Sequence, residues 1–157
     1  MLKGEKRREQ ILAAAEEMFY QNGYERTTVS DIITALGLSK GGFYHHFESK
    51  EALLQAICDR KAEDSYAAAR RAVDDCPGSW ADKFNAMFDQ YGMWQSGNAD
   101  FMGLLIRVAY REDNLIMRDK LKRKSMGLML PLVEEIVKGG VAAQEFITPY
   151  PEGTGML

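Results

Sequence analysis

TVSDIITALGLSKGGFYHHF, running from Thr28 to Phe47, contains two short apolar-periodic segments separated by a glycine. Val29, Ile32, Ile33 and Leu36 recur at i, i+3, i+4 and i+7, the spacing of one helical face. Thr28, or Thr27 before it, offers a hydroxyl to cap that helix. Gly37 ends the segment and accepts the positive φ of a sharp turn without steric cost. Ser39 then caps a second helix, whose inner face carries Phe43 and Phe47 four residues apart, while Leu38 plugs the angle between the two. Two short helices joined by a tight turn have the layout of a helix-turn-helix.

The second helix opens on two glycines, each costing about 1 kcal/mol relative to alanine in a helix interior, and continues into two adjacent histidines. Its outer face is Lys40, Gly41, Tyr44 and His45, with Gly42 at the edge. A recognition helix enters the major groove by its N-terminal end. Missing side chains at Gly41 and Gly42 let the backbone approach DNA closely, and N-terminal amides attract phosphate. Tyr44 and His45 can donate to phosphates or touch base edges, and Lys40 can reach guanine O6 and N7. Lys50, at the start of the following helix, is placed to hold a phosphate. Neighbouring helical residues point about 100° apart, so His45 and His46 make a poor metal pair and no metal is assigned. His46 is expected at the helix junction. Spacing alone leaves two readings open, groove binding and plain helix packing.

Helical patterns extend in both directions from this run. Ile11, Leu12, Ala15, Met18 and Phe19 share a face of a first helix, closed by Gln21-Asn22-Gly23. Ser49 begins a long helix to about Asp75, and CPGS (Cys76 to Ser79) breaks the chain. Trp80, Phe84, Met87, Phe88, Tyr91 and Trp94 follow at three- and four-residue steps; beyond QSGNAD come Phe101, Leu104, Leu105, Val108 and Ala109. After Asp113-Asn114 a last long helix is expected to reach Lys138, kinked at Pro131 and stopped by Gly139-Gly140. The tail from Ile147 has no helical period, and nothing alternates at period two for long enough to make a sheet. The fold class is all-α: an N-terminal three-helix domain with a helix-turn-helix, followed by a helical region.

With 46% hydrophobic residues in 157, the chain suits a soluble globular protein with a real core. No apolar stretch behind Met1 is long enough for a signal peptide or a membrane span, so a cytoplasmic protein without a membrane partner is expected. Cys58 and Cys76 lie 18 positions apart in one predicted helix, roughly 27 Å at about 1.5 Å per residue and too far for a disulfide. Net charge is −3, and residues 1–50 balance seven cations against seven carboxylates. Charge therefore leaves DNA binding undecided. No nucleophile–base pairing, metal-ligand spacing or phosphate loop occurs, so neither catalysis nor a cofactor is assigned.

The stretch RREQILAAAEEMFYQNGYERTTVSDIITALGLSKGGFYHHFESKEALL, Arg7 to Leu54, resembles the DNA-binding domain of TetR-type transcriptional regulators. The likeness includes the first helix, the turn Gly23-Tyr24-Glu25-Arg26-Thr27-Thr28, the G-L-S-x-G-x-x-Y-x-H-F core and the S-K-E-A-L-L that follows. The resemblance implies that Thr28, Lys40, Gly41, Gly42, Tyr44, His45 and Lys50 approach DNA. Relatives often carry a side chain where Gly42 stands, so base readout at that position is expected to be weak. The implied organisation is a DNA-binding domain over residues 1–48 and a ligand-binding and dimerisation domain over 49–157.

For the second domain, Met87, Phe88, Tyr91, Trp94, Met102, Ile106, Tyr110, Met126 and Met129 are the candidate pocket residues, with simple core packing as the competing reading. Arg107 adds a possible anion contact, against solvent exposure or a structural ion pair. The resemblance further implies a homodimer held by two more long helices, the first beginning about where this chain ends at Leu157. The implied function is a ligand-responsive repressor that occupies a palindromic operator as a dimer and is released by a small molecule. The competing reading is a helical ligand-binding or interaction module with little DNA affinity.

Overall fold

The computed structural model describes residues 3–109 and 115–148. Seven helices and no strands occur among them: α1 (Lys3–Asn22), α2 (Val29–Ala35), α3 (Lys40–Tyr44), α4 (Lys50–Asp75), α5 (Trp80–Gly97), α6 (Ala99–Ala109) and α7 (Leu115–Ala142). They fall into two compact units. One contains the described residues up to Arg60 and those between Asp100 and Arg118; the other contains Lys61–Ala99 and the described residues from Asp119 onwards.

In the first unit the apolar face of α1 is closed to water, with Ile11, Leu12, Ala15 and Phe19 all buried. Helix α2 packs on α1, and Ile32, Phe43, Phe47, Leu53 and Ile57 complete that interior. Truncating a fully buried Phe such as Phe43 costs about 3–5 kcal/mol. Helix α1 is also tied to α4 by Arg60, which donates to Glu9 at 3.1 Å and pairs with Glu16. In α6, Phe101, Leu104 and Val108 are buried at three- and four-residue spacing.

The second unit has its own core of Ala69, Val73, Met87, Leu132 and Ile136, flanked by Trp80, Phe84, Met129 and Phe146. Lys83 of α5 donates to the carbonyls of Val73 and Cys76 at 2.9 and 2.8 Å, which satisfies open acceptors at the end of α4. Ser79 and Asp82 form a reciprocal capping box at the start of α5.

Helix α7 departs from its sequence reading. It was expected to stop at Gly139-Gly140 but continues to Ala142. The two glycines are packing positions: a Cβ on Gly139 would overlap the Trp80 ring, and one on Gly140 the Phe146 ring. The turn that follows uses Gln144 at φ +60°, with the Glu145 and Phe146 amides donating back to the Gly140 carbonyl. Pro131 lies inside α7 without ending it. It removes the amide that would bond the Gly127 carbonyl, and both residues are exposed, so water can take that acceptor.

Both cysteines are free thiols. Cys58 is buried in α4, which pushes its pKa up to about 12 and leaves it unreactive.

Candidate nucleic-acid interface

The helix-turn-helix is assembled by local hydrogen bonds that its sequence anticipates. Gly23 closes α1 at φ +84°, and the buried Thr27 hydroxyl donates to the carbonyls of Gly23 and Met18 at 2.9 and 3.2 Å. Thr28 caps α2: its hydroxyl oxygen accepts from the Asp31 amide at 3.1 Å, and the Asp31 carboxylate accepts from the Thr28 amide at 2.8 Å. The bond donated by the Thr28 amide, and then one donated by its hydroxyl, hold the Asp31 carboxyl below the usual carboxylate range. Gly37 makes the turn at φ +60°, and the Leu38 amide donates to the Ile33 carbonyl at 3.0 Å.

Ser39 caps α3, its side-chain oxygen accepting from the Gly42 amide at 3.0 Å. Phe43 is fully buried and Phe47 nearly so, with ring centres 6.2 Å apart. Fixing this side leaves Lys40, Gly41, Tyr44 and His45 on the outside, and all four are exposed. Positions i, i+1, i+4 and i+5 share one helical face. Tyr44 keeps 53% of its surface in water. Lys40 makes no ion pair among the described residues. The face is supported from beneath, with ring contacts from Tyr44 to Phe43 and from His45 to His46.

The two glycines differ. A Cβ on Gly41 would meet no atom within 4 Å, whereas one on Gly42 would stand 3.2 Å from the Ser39 hydroxyl. Only Gly41 is therefore free of internal packing demands. The Gly42 amide is occupied by the Ser39 cap, so it is not among those left for phosphate.

Two of the sequence-derived contacts have structural duties as well. The Thr28 hydroxyl also donates to Asp31 at 2.7 Å within the cap. Lys50 donates to the Tyr24 carbonyl at 2.9 Å and lies 4.3 Å from the centre of the Tyr24 ring. An ammonium has three protons, so two remain for another acceptor. His46 is half-buried beside the exposed His45, their rings edge-on at 5.0 Å.

Beside this face opens a cleft of about 400 Å³ between the start of α1, the end of α3 and the start of α4. Arg8, Tyr44, His45, His46 and Glu48 are among the residues that line it. Arg8 had no part in the sequence reading; its only signal was the basic run Lys6-Arg7-Arg8.

The residues matched by the description "Bacterial regulatory proteins, tetR family" are 11–57, which contain the whole helix-turn-helix. The helix-turn-helix region thus matches the TetR family. The chain is 40% identical over 70 residues to the HTH-type transcriptional regulator TtgR of Pseudomonas putida, which covers 43% of this chain and 33% of TtgR. Over 65 residues it is 40% identical to the transcriptional repressor Rv1474c of Mycobacterium tuberculosis, covering 41% of this chain and 35% of that protein. The chain thus aligns with about a third of the length of these curated relatives. Its fold resembles the regulator FadR of Bacillus subtilis, solved in complex with stearoyl-CoA, at a TM-score of 0.70 and 21% identity, over 89% of this chain and 74% of FadR.

The candidate effector residues are divided between the two units. Met102, Ile106 and Arg107 belong to the first unit, the remainder of the described set to the second; Tyr110 lies outside the described residues. Met87 is core, and Met129 packs against it. Phe88, Tyr91, Met126 and Ile106 are exposed, at 55%, 40%, 42% and 60%. Arg107 is exposed and lies against Gly103 one turn earlier on its own helix. Among the described residues, no helix is long and apolar enough to cross a membrane.

Proposed function

We propose that this chain acts as a ligand-responsive transcriptional repressor, binding a palindromic operator as a homodimer and leaving it when a small molecule binds. The observation that carries this reading is the face of α3. Ser39 and Phe43 hold the helix in place, while Lys40, Gly41, Tyr44 and His45 are exposed, the Tyr44 ring packing on Phe43 and the His45 ring on His46. In this reading residues 1–48 are the DNA-binding domain and 49–157 the effector-binding and dimerisation domain, working in the cytoplasm without a cofactor or a catalytic step.

Lys40 would reach guanine, Tyr44 and His45 would contact phosphates or base edges, and Gly41 would admit the DNA backbone. Lys50, with Thr28 and Gly42 at the margins, would line the phosphate path. The stearoyl-CoA bound to FadR, and the naming of a relative as a repressor, support an effector-released repressor. Met87, Phe88, Tyr91, Trp94, Met126 and Met129 of the second unit are the proposed effector contacts, with Met102, Ile106 and Arg107 of the first unit as separate candidates.

Selection of random duplexes with the 157-residue protein at two salt concentrations tests this. Enrichment of a palindrome, with half-sites separated by about one helical turn or a multiple of it, is expected. Binding should weaken steeply with salt as phosphate contacts are lost. Recovery of only salt-sensitive background would favour the ligand-binding module instead.

A further inference from the structure

The cleft beside the recognition helix has the donors of an anion site and an opening that adjoins the DNA-reading face. We propose that it seats one sugar–phosphate unit of the operator strand running past α3, and that Arg8 is the cation that holds it. The inference rests on the functional reading above and adds a contact from α1 that the reading does not contain.

Three observations support it. The cleft is about 400 Å³, far more than one ordered water needs and large enough for a sugar with its phosphate; the exposed Tyr44 and His45 are among the residues that line it. A strand lying across those two residues therefore passes its mouth. Second, the lining is rich in donors. Arg8 supplies up to five N–H groups in a planar fork suited to phosphate, Tyr44 an O–H, and His45 and His46 at least one N–H each. Glu48 is the one carboxylate among the cleft's lining residues, and it is exposed.

Third, Arg8 is positioned but not consumed. Its guanidinium carbon lies 5.0 Å from the centre of the Phe47 ring, and Phe47 is anchored in the core. Its ion pair with Glu9 spans 3.7 Å between two side chains each 45% exposed, an arrangement that contributes little. A cation braced on an aromatic ring and weakly paired exchanges one partner for a phosphate at small cost. Ala52 and Ala56 keep the α4 side of the cleft low, so no long side chain fills the space.

The test uses the intact protein and its selected duplex. Arg8→Ala is expected to weaken binding roughly tenfold and to lower the salt slope by about 1, the signature of one lost phosphate contact. Arg8→Gln keeps the stem over Phe47 and should show the same loss, which separates the charge from packing. Arg8→Lys should restore the slope but only part of the affinity, because an ammonium lacks the planar fork. Methylphosphonates placed singly along the duplex should then reveal one position outside the α3 contacts that weakens the wild type but not Arg8→Ala.

An unchanged salt slope in Arg8→Ala and Arg8→Gln, with Tyr44 and Lys50 variants still impaired, would overturn the cleft while leaving the repressor reading in place. Inorganic phosphate that shifts the Arg8 resonances, with DNA binding indifferent to Arg8, would give the cleft to a free anion and overturn the proposal. Failure of the wild type to bind any duplex would remove the functional reading itself, and the cleft assignment with it.

Discussion

The Ser39 side-chain oxygen accepts a hydrogen bond from the Gly42 amide at 3.0 Å, and this bond gives the two adjacent glycines of α3 different work. Gly42 is enclosed by the cap, whereas Gly41 faces open space. Gly41→Ala should therefore leave the fold intact and raise the melting temperature slightly, since alanine is favoured by up to about 1 kcal/mol in a helix. If Gly41 admits the DNA backbone as proposed, the same variant should lose operator affinity by tenfold or more, because the new methyl would stand in that path. Ser39→Ala should show the opposite pattern, losing about 1 kcal/mol of stability through the lost cap. Thermal melts and a binding isotherm for each variant check both outcomes.

Lys50 combines a structural bond with its proposed phosphate contact. Lys50→Ala should cost about 1 kcal/mol of stability, since the Tyr24 carbonyl loses its 2.9 Å donor. It should also lower the salt slope of DNA binding by about 1. Lys50→Met, which retains the stem against Tyr24, should lose the slope to the same extent. Urea denaturation read beside salt titrations of DNA binding separates the two contributions; a variant with unchanged slope would remove Lys50 from the interface.

In α7, alanine should be worse than glycine despite its better helix propensity. Gly140→Ala places a methyl in the space of the Phe146 ring and should destabilise by about 1–3 kcal/mol, as overpacking does. Combining it with Phe146→Ala should recover part of that loss, a coupling that a double-mutant cycle in urea would measure. Additive losses would mean that the ring and the glycine do not compete for the same volume.

The two capping boxes predict how the helix starts respond to acid. Asp31 is held below the ordinary range by its bonds from the Thr28 backbone and then its side chain, Asp82 by those from the Ser79 side chain and then its backbone. Since each folded value is depressed, its stabilisation is present above the unfolded value near 3.9 and is lost as pH falls through the folded value. Carboxyl NMR titrations should place both midpoints below about 3.9. Thr28→Ala should move Asp31 back up and leave Asp82 unchanged.

Ser65, in α4, is buried at 7% exposure, and its hydroxyl has no hydrogen-bond partner among the described residues. Ser65→Ala should raise stability by about 1 kcal/mol in urea titrations, since an unmatched buried polar group is removed. A loss of stability would show that the hydroxyl is satisfied by water or a bound molecule.

Much of this protein could be read from local sequence because its decisive features are local. Thr28, Ser39 and Ser79 cap helices through bonds spanning three residues, and Gly23 and Gly37 take positive φ within their own turns. The burial of Phe43 on α3, and of Phe47 just beyond its end, agrees with their four-residue spacing, and the exposure of Lys40, Tyr44 and His45 follows with it. The likeness of Arg7–Leu54 to TetR-type DNA-binding domains likewise lies in contiguous sequence. Tertiary structure alone decided the matters that depend on distant neighbours. Gly139 and Gly140 looked like a helix stop because their packing partners, Trp80 and Phe146, lie outside the helix. Met87 became core while Phe88 beside it stayed in water, a division that helical period narrows but only the opposing helices decide. Arg8 came to lie beside the end of α3 because α1 packs against Phe47, 39 positions further along the chain. A cap or a turn is fixed by bonds within a few residues, whereas a cleft is the space left when distant segments pack.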